Sequence, residues 1–200
     1  MRGIIDKDFA VRWLGDGGVV ALPTDTVYGV AAAISHPSAV ATLIALKHRP
    51  ENVPLPVLVD SVDQIVHLGV EWPERARKLA EVFWPGALTI VVSVPRELAD
   101  RVGSHDDTAG FRLPDDPLLR SVLARSGPLA VSSANRHGEP PCQSADDVLR
   151  AFGASDELEG VVDGGERSGT VSTVVDVSPS WWRVVREGSI TEADLLAVIG

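Results

Sequence analysis

The segment Pro23–Gly29 concentrates hydroxyl, carboxylate and phenol groups directly after an apolar run. It contains Asp25, Thr26 and Tyr28, and the preceding residues 19–22 (Val-Val-Ala-Leu) indicate a buried strand. A turn with a purely structural role needs Gly, Pro or Asn and not a run of hydroxyl, carboxylate and phenol side chains. A binding site therefore explains the composition of this segment better than a turn alone. Ligands bind beyond strand ends in open α/β sheets. The segment therefore predicts a polar binding site at the end of this strand.

A basic pair, Lys47 and Arg49, stands at the end of a predicted helix that begins at Pro37. One explanation is structural, because cations are favoured near a helix C-terminus by the macrodipole. The other is anion recognition, with Lys as a point charge and Arg as a planar fork for phosphate or carboxylate. The residues alone leave both interpretations open.

Hydroxyl and amide groups follow another apolar run, where Ser132–Asn135 come directly after residues 129–131 (Leu-Ala-Val). These groups are equally consistent with a polar strand terminus or helix cap. In the functional interpretation they point into the crevice beyond the strand and bind phosphates or a metal-bound nucleotide. The segment is therefore a second candidate for one side of a ligand site.

Arginine and serine side chains near three other strands raise the same question. Arg112 lies between Phe111 and Leu113, so strand alternation turns it to the opposite face. There it faces water, or it projects into a cleft as a receptor for a carboxylate. Ser172 and Arg186, near two late strands, have the same two interpretations.

Signatures of several enzyme classes are missing from the sequence. It has no Gly-x-x-x-x-Gly-Lys-Ser/Thr loop, no strand-following Gly-x-Gly-x-x-Gly and no Gly-x-Ser-x-Gly elbow. The histidines lack paired ligand spacing, and Cys142 is the only cysteine, so neither a structural zinc site nor an internal disulfide is expected. Ser133 with His137 is weak evidence for a nucleophile and base. No metal-ligating residue is predicted.

Size and charge limit the class of protein. The 200 residues are 44% hydrophobic, which suits one compact domain spanning 1–200 with a sizeable core. The formal net charge of −10 disfavours tight general binding of nucleic acid, although a local basic pocket is still allowed. No apolar run is long enough for a membrane span, and the N-terminus lacks a secretory h-region. The expected location is the cytoplasm.

Short apolar runs alternate with helical patterns along the whole chain. Late strands without intervening helices favour a mixed parallel and antiparallel sheet in an α/β domain of two or three layers. Predicted helices cover approximately residues 7–14, 37–47, 61–69, 73–83, 117–125, 144–152 and 191–199. Predicted strands cover approximately residues 19–22, 56–59, 88–94, 109–113, 129–132, 161–163, 173–176 and 182–185.

Taken together, the motifs resemble the Sua5/YrdC/TsaC family of threonylcarbamoyl-AMP synthases, in order from about residue 10 to 190. The chain is similar to the short, single-domain form of the family. The matching segments are Pro23–Gly29, Lys47–Pro50, Pro54–Val59, Trp84–Thr89, Arg112–Pro114, Ser132–Asn135, Ser172–Asp176 and Arg186–Gly188.

This resemblance implies a twisted α/β sheet around a large, positively lined cavity, the YrdC-like fold. It also implies an enzyme, a nucleotidyltransferase that forms threonylcarbamoyl-AMP and pyrophosphate from L-threonine, bicarbonate or CO2, and ATP. The product feeds the t6A modification at position 37 of tRNA, and a partner transferase complex makes the transfer. Direct contact with tRNA is expected to be weak at most, and no membrane is involved.

By the same resemblance, Thr26, Arg112 and Ser172 hold threonine, with Arg112 as the bidentate donor to its carboxylate. ATP binding and catalysis fall to a basic and polar tetrad with two further residues. The tetrad is Lys47, Arg49, Ser133 and Asn135, and the two further residues of the nucleotide site are Thr108 and Arg186. Mg²⁺ is the expected cofactor, arriving with ATP and held largely by phosphates and water.

The sequence departs from the family at Val53, Leu58 and His137, where members often carry Lys, His and Ser. Two other functions therefore stay open at this point. One is a non-catalytic module that docks a nucleotide or tRNA in the same cavity. The other is a carbamoyl-adenylate enzyme that uses carbamoyl phosphate, as the YrdC-like part of hydrogenase maturation proteins does.

Overall fold

The computed structural model of the chain describes residues 3–47, 54–136, 138–153, 155–167 and 170–200. Within them, the chain forms both strands and helices. The strands are β1 (Ile4–Ile5), β2 (Val20–Pro23), β3 (Tyr28–Ala33), β4 (Val57–Leu58), β5 (Leu88–Ser93), β6 (Thr108–Arg112), β7 (Leu129–Ser133), β8 (Val161–Val162), β9 (Thr173–Asp176) and β10 (Arg183–Arg186). The helices are α1 (Lys7–Gly15), α2 (Pro37–Leu46), α3 (Val62–His67), α4 (Glu74–Phe83), α5 (Arg96–Arg101), α6 (Pro117–Ser126), α7 (Ala145–Phe152) and α8 (Glu192–Ile199).

The strands form one sheet in the order β1-β8-β2-β3-β7-β4-β6-β5-β9-β10. Neighbours pair in both directions. β2 and β7 each run antiparallel to β3, whereas β4 is parallel to β6 and β5 is parallel to β9. The prediction of a mixed sheet is therefore confirmed. The long crossovers also bring segments that are distant in sequence to the same edge of the central strands.

Helices cover both faces of this sheet, so the layers number three. On one face, Ala10 and Leu14 of α1 and Leu119 of α6 pack against alternate residues of β2 and β3. On the other face, α2, α4, α7 and α8 contribute to a larger apolar cluster that includes Leu43 and Phe152. Burial on both faces gives the central strands continuous apolar character.

Capping side chains account for several helix starts that the sequence predicts. Asp6 accepts a hydrogen bond from the backbone of Phe9 and begins α1. Ser144 and Thr191 form reciprocal capping boxes at α7 and α8. At α3, Ser61 caps the helix, but Gln64 reaches back to the amide of Asp60, so the predicted capping box is only half formed.

Three elements are absent from the sequence-based prediction. β3 is rich in alanine, which has little preference for strands, and β1 is two residues long. α5 spans six residues after Pro95 and has too few turns for a clear helical period. In the part of the chain that the structure describes, no helix has both the length and the apolar character required to cross a bilayer.

We expect Gly29→Ala to destabilise the fold, because β3 and β7 approach closely at this residue. A Cβ on Gly29 would lie 2.6 Å from Cγ1 of Val131. Overpacking of this kind in a buried sheet lowers the free energy of unfolding by about 1–3 kcal/mol. Denaturant unfolding of the variant measures the change.

Gly15→Ala is the matched control, since a Cβ at Gly15 in the last turn of α1 meets no atom within 4 Å. Alanine favours the helix there, so this variant should be at least as stable as the parent. Equal stability of the two variants would contradict the close approach at Gly29.

Candidate active site

A cavity of about 140 Å³ opens where several central strands end, beside the turn between β2 and β3. Its walls combine hydroxyl groups, two guanidinium groups and apolar side chains. The lining residues are Thr24, Thr26, Val27, Tyr28, Gly29, Pro56, Leu58, Thr89, Arg112, Val131, Ser132, Ser133, Val171, Ser172 and Arg186. Five predicted site residues, Thr26, Arg112, Ser133, Ser172 and Arg186, therefore meet around one space.

The part of the cavity formed by the described residues is smaller than the resemblance implies. Pockets for drug-sized ligands span about 300–1,000 Å³, so 140 Å³ suits an amino acid better than a whole nucleotide. A larger depression of about 970 Å³ lies between the start of α4 and the end of α8, and it is lined by none of the predicted site residues that the structure describes.

Arg112 ends β6 and is 6% exposed, and its guanidinium contacts three residues from two segments of the chain. Nε donates to the carbonyl oxygen of Gly86 at 3.0 Å and Nη1 donates to Oγ1 of Thr26 at 3.3 Å. Nη2 forms an ion pair with Oδ1 of Asp25 at 2.5 Å. The contacts fix the plane of the guanidinium and answer the question that the sequence left open, because Arg112 points into the cleft and not into water.

The turn that carries Thr26 is held by the hydroxyl of Thr24. Oγ1 of Thr24 accepts from the amides of Thr26 and Val27 and donates to the carbonyl oxygen of Val27 at 2.7 Å. Oγ1 of Thr26 lies 2.9 Å from the same oxygen. Since Thr24 uses its proton on Val27, Thr26 donates to Thr24 and accepts from Arg112. The two threonines therefore orient one another and the arginine.

Ser172 and Arg186 form the opposite wall together with Thr89, a β5 residue that the sequence analysis did not select. Oγ of Ser172 lies 3.1 Å from Oγ1 of Thr89, and Nη2 of Arg186 donates to Oγ of Ser172 at 3.0 Å. Nε and Nη2 of Arg186 also donate to the Ser172 carbonyl oxygen, at 3.1 and 2.8 Å. The guanidinium is thus fastened to the segment that precedes β9.

Two cations face this small space. Partial burial lowers the pKa of the Arg186 guanidinium, and the nearby charge of Arg112 lowers that pKa further. Part of the Arg186 side chain is still exposed to solvent. An anion between the two guanidiniums relieves this repulsion. A protein of net charge −10 therefore contains a local positive site, which is the combination that the sequence allowed.

Lys47, Ser133 and Asn135, here called the lysine cluster, meet beside the cavity. The buried Nζ of Lys47 donates to the carbonyl oxygen of Ser133 at 2.6 Å, to Oδ1 of Asn135 at 2.8 Å and to the Asn135 carbonyl oxygen. Oγ of Ser133 also donates to Oδ1 of Asn135, at 2.7 Å. An ammonium has three N–H groups, and Lys47 donates to three oxygen atoms of residues 133–135, so it holds this segment in place. Toward a nearby anion, Lys47 contributes mainly its positive charge.

Tyr28 links the same strand end to the loop that follows β8. Its hydroxyl donates to the carbonyl oxygen of Gly165 at 2.8 Å and accepts from the amide of Gly164 at 3.0 Å. The ring is fully buried. Burial raises the pKa of the Tyr28 phenol, and the negative charge of Asp163 acts in the same direction.

The structure does not bring every predicted residue to the cavity. Thr108 begins β6, four residues before Arg112, which corresponds to about 13 Å along a strand. Its hydroxyl donates to Asp106 at 2.7 Å, and it is not among the lining residues. Arg49, Val53 and His137 lie outside the described residues. Leu58 forms part of the apolar wall.

Sequence reasoning missed Thr89 as a functional candidate and gave Asp25 no specific role. Asp25 stands inside the selected Pro23–Gly29 segment, but nothing in the sequence identifies Arg112 as its partner. Thr89 is a hydroxyl residue within the apolar run of β5, and this contrast is the sequence signal that could have identified it as a site candidate. Among the described residues, no group of three or more His, Cys, Asp or Glu side chains is placed to hold a metal ion.

The chemistry of these side chains suits the binding of small anionic molecules. Arg112 and Arg186 offer planar donors to a carboxylate or phosphate, while the ring of hydroxyls supplies neutral donors and acceptors. The apolar wall at Leu58 and Val131 accommodates a short aliphatic group. The geometry therefore fits a small amino acid placed beside a second anionic group.

Comparison with known proteins identifies the family. Residues 12–188 match the Sua5_yciO_yrdC family, described as telomere recombination. The chain therefore belongs to the Sua5/YciO/YrdC family. It is 37% identical, over 100% of its length and 90% of the relative, to a Mycobacterium tuberculosis H37Rv protein called a putative threonylcarbamoyl-AMP synthase.

Longer relatives match over about half of their own length. The chain is 37% identical to the threonylcarbamoyl-AMP synthase of Bacillus subtilis 168, over 96% of this chain and 56% of that protein. The crystal structure of P. abyssi Sua5 complexed with L-threonine superimposes with a TM-score of 0.88 and 33% identity, covering 99% of this chain and 60% of that one. The YrdC-like fold is thereby confirmed.

Tyr28 should ionise at a higher pH in the folded protein than in the denatured chain. A raised pKa means that the neutral phenol stabilises the fold below the ordinary pKa of about 10 and that this contribution disappears as the pH rises through the folded value. Tyr28 is the only tyrosine, so phenolate absorbance in the near ultraviolet reports this group alone. The titration is measured in buffer and again in denaturant. A folded midpoint at or below the denatured one would contradict the burial of the phenol.

Lys47→Met should destabilise the protein by about 2–4 kcal/mol, because it removes the donor from three oxygen atoms in a buried cluster. Denaturant unfolding measures the loss. The matched control is Lys78→Met, since Lys78 makes an exposed pair with Glu74 at 3.3 Å and should change stability by less than about 0.5 kcal/mol. Similar losses in the two variants would count against a structural role for Lys47.

Proposed function

We propose that this protein is an enzyme that makes threonylcarbamoyl-AMP and pyrophosphate from L-threonine, bicarbonate or CO2, and ATP. The observation that carries the proposal is the convergence of Thr26, Arg112, Ser172 and Arg186 on one small cavity beside the lysine cluster. Support comes also from the names of the relatives, which are threonylcarbamoyl-AMP synthases. A non-catalytic module that only docks a nucleotide or tRNA would not need an amino-acid-sized cavity beside a basic and polar cluster. The pairing of the two therefore favours the enzyme over the binding module.

In this proposal L-threonine occupies the cavity with its carboxylate on Arg112. A guanidinium carries five N–H groups, so donors remain beyond the contacts to Gly86, Thr26 and Asp25. Ser172 and Thr26 present hydroxyls to the polar groups of the amino acid, and Leu58 faces its methyl group. The related P. abyssi protein was crystallised with L-threonine, which supports this choice of ligand.

The triphosphate of ATP then lies toward Arg186 and the lysine cluster. Arg186 supplies a fork for phosphate oxygens, and Lys47 supplies positive charge behind Ser133 and Asn135. Arg49 keeps the role that the resemblance gives it as part of the proposal, whereas Thr108 has no part in it, because it lies at the far end of β6 and its hydroxyl donates to Asp106. Magnesium enters as the MgATP substrate, because Mg²⁺ keeps several waters and is held mainly through phosphates.

The reaction requires positioning more than covalent help from the protein. The neutral amine of threonine attacks the carbon of CO2, loses a proton and becomes a carbamate; bicarbonate supplies CO2 by loss of hydroxide. A carbamate oxygen attacks the α-phosphorus, the bond to the bridging oxygen breaks, and pyrophosphate leaves. Fixed guanidinium and hydroxyl groups stabilise the charge that develops on the phosphate oxygens.

The destination of the product belongs to the same proposal. Threonylcarbamoyl-AMP is a reactive mixed anhydride, so an acceptor must take up the threonylcarbamoyl group soon after release. The resemblance gives this acceptor as adenosine 37 of tRNA, modified to t6A by a transferase complex. A cytoplasmic enzyme that meets this complex transiently and contacts tRNA weakly fits the net charge of −10.

Arg112→Lys should raise the KM for threonine by about tenfold or more, because an ammonium cannot hold a carboxylate with two parallel hydrogen bonds. The assay follows threonine-dependent pyrophosphate release with MgATP and bicarbonate, and mass spectrometry identifies the adenylate. Arg120→Lys is the control, since Arg120 pairs with Asp60 at 2.9 Å on a partly exposed surface. Its KM should match that of the parent.

Two outcomes would overturn the proposal. The first is a parent protein that releases no pyrophosphate with threonine, while a related synthase is active in the same assay. The second is an Arg112→Lys variant with the parent's KM for threonine. Salt-dependent tRNA binding without any adenylate would favour the binding module instead.

A further inference from the structure

Asp25 occupies a position from which it reaches Arg112 but not the cavity. Its Oδ1 lies 2.5 Å from Nη2 of Arg112, and the two side chains are 12% and 7% exposed. Thr26 and Arg112 line the cavity, whereas Asp25 does not. The contact through which Asp25 can orient a group of the cavity wall is therefore its ion pair with the guanidinium.

The backbone of the β2–β3 turn aims the Asp25 carboxylate. Thr24 closes the turn with hydrogen bonds to the amides of Thr26 and Val27, at 3.0 and 3.2 Å. These hydrogen bonds fix the backbone on the C-terminal side of Asp25 and so limit the positions its carboxylate can take. The carboxylate lies against Nη2 of Arg112, and an acceptor held there sets the orientation of a planar donor.

The carboxylate also balances charge. Arg112 and Arg186 face the same space, and their like charges oppose one another. Asp25 compensates the more buried of the two guanidiniums, so Arg112 keeps its place before a ligand arrives. Without Asp25, the carbonyl oxygen of Gly86 and the hydroxyl of Thr26 are the remaining neutral partners of Arg112.

We propose that Asp25 is a positioning residue that holds the Arg112 guanidinium in the orientation needed to receive the carboxylate of the amino-acid substrate. The inference rests on the proposed function of the cavity and adds a residue to it. Asp25 takes no part in the chemical step. Its removal should therefore weaken binding of the amino acid and leave the turnover of bound substrates largely intact.

Steady-state kinetics of Asp25→Ala and Asp25→Asn test this role. We expect the KM for threonine to rise about tenfold or more in Asp25→Ala, with kcat and the KM for ATP each changed by less than about threefold. Asp25→Asn keeps an acceptor oxygen but loses the charge, so its KM should lie between those of the parent and the alanine variant, at about threefold above the parent. Calorimetric titration with threonine alone should give the same order of affinities.

Asp60→Ala is the matched control, because Asp60 forms an ion pair of similar type with Arg120 away from the cavity. It should lower stability slightly and leave both KM values unchanged. An unchanged threonine KM in Asp25→Ala would overturn the inference, and so would an equal rise of the KM for threonine and for ATP. If the alanine variant does not fold, an Asp25→Asn variant with the parent's threonine affinity overturns it.

Direct binding separates this inference from the proposed function. A parent protein that neither binds threonine nor releases pyrophosphate refutes both. A parent that does both, together with Asp25 variants of equal affinity, refutes the positioning role alone.

Discussion

Burial of the Arg112 guanidinium is the constraint on which the site depends. A charge that is 6% exposed has to find a partner inside the protein, because an unpaired buried charge costs several kcal/mol. The partners come from a turn 86 and 87 positions earlier in the chain and from Gly86. The ion pair therefore forms only when β2, β3, β6 and the segment before β5 have assembled, and the same assembly encloses the cavity. Folding and site formation are one event at this residue.

A second guanidinium makes the same space electrostatically unusual. Arg186 is fastened to Ser172, and its charge is opposed by that of Arg112. The fold tolerates this repulsion because Asp25 offsets one charge and the carbonyl oxygen of Ser172 partly offsets the other. A positive potential remains, because none of the described residues of the cavity wall is acidic. An anionic ligand can neutralise this potential. The excess of acidic residues elsewhere does not remove this local field.

Local sequence signals predicted the elements that carry their own boundary chemistry. Asp6, Ser144 and Thr191 mark helix starts by side-chain hydrogen bonds that reach only three residues, so a single segment contains the whole signal. β3 lacks such a signal, since Tyr28–Ala33 is alanine-rich and becomes a strand only through its two neighbours. The orientation of Arg112 was ambiguous because it, too, depends on a partner from a distant part of the chain. Alternation gave its face, but Asp25, which decides that it points inward, is remote in sequence.

Strand direction explains why Thr89, and not Thr108, reaches the cavity. β5 and β6 are antiparallel with Ile90 opposite Phe111, so the start of β5 lies beside the end of β6. Thr89 is therefore next to Arg112, whereas Thr108 pairs with Ser93 at the far end. β9 runs parallel to β5 with Thr173 beside Leu88, which brings Ser172 to the same edge. Thr89 and Thr108 both have the hydroxyl that such a site requires. They differ in position because of the pairing directions of the mixed sheet, and residue types do not encode those directions.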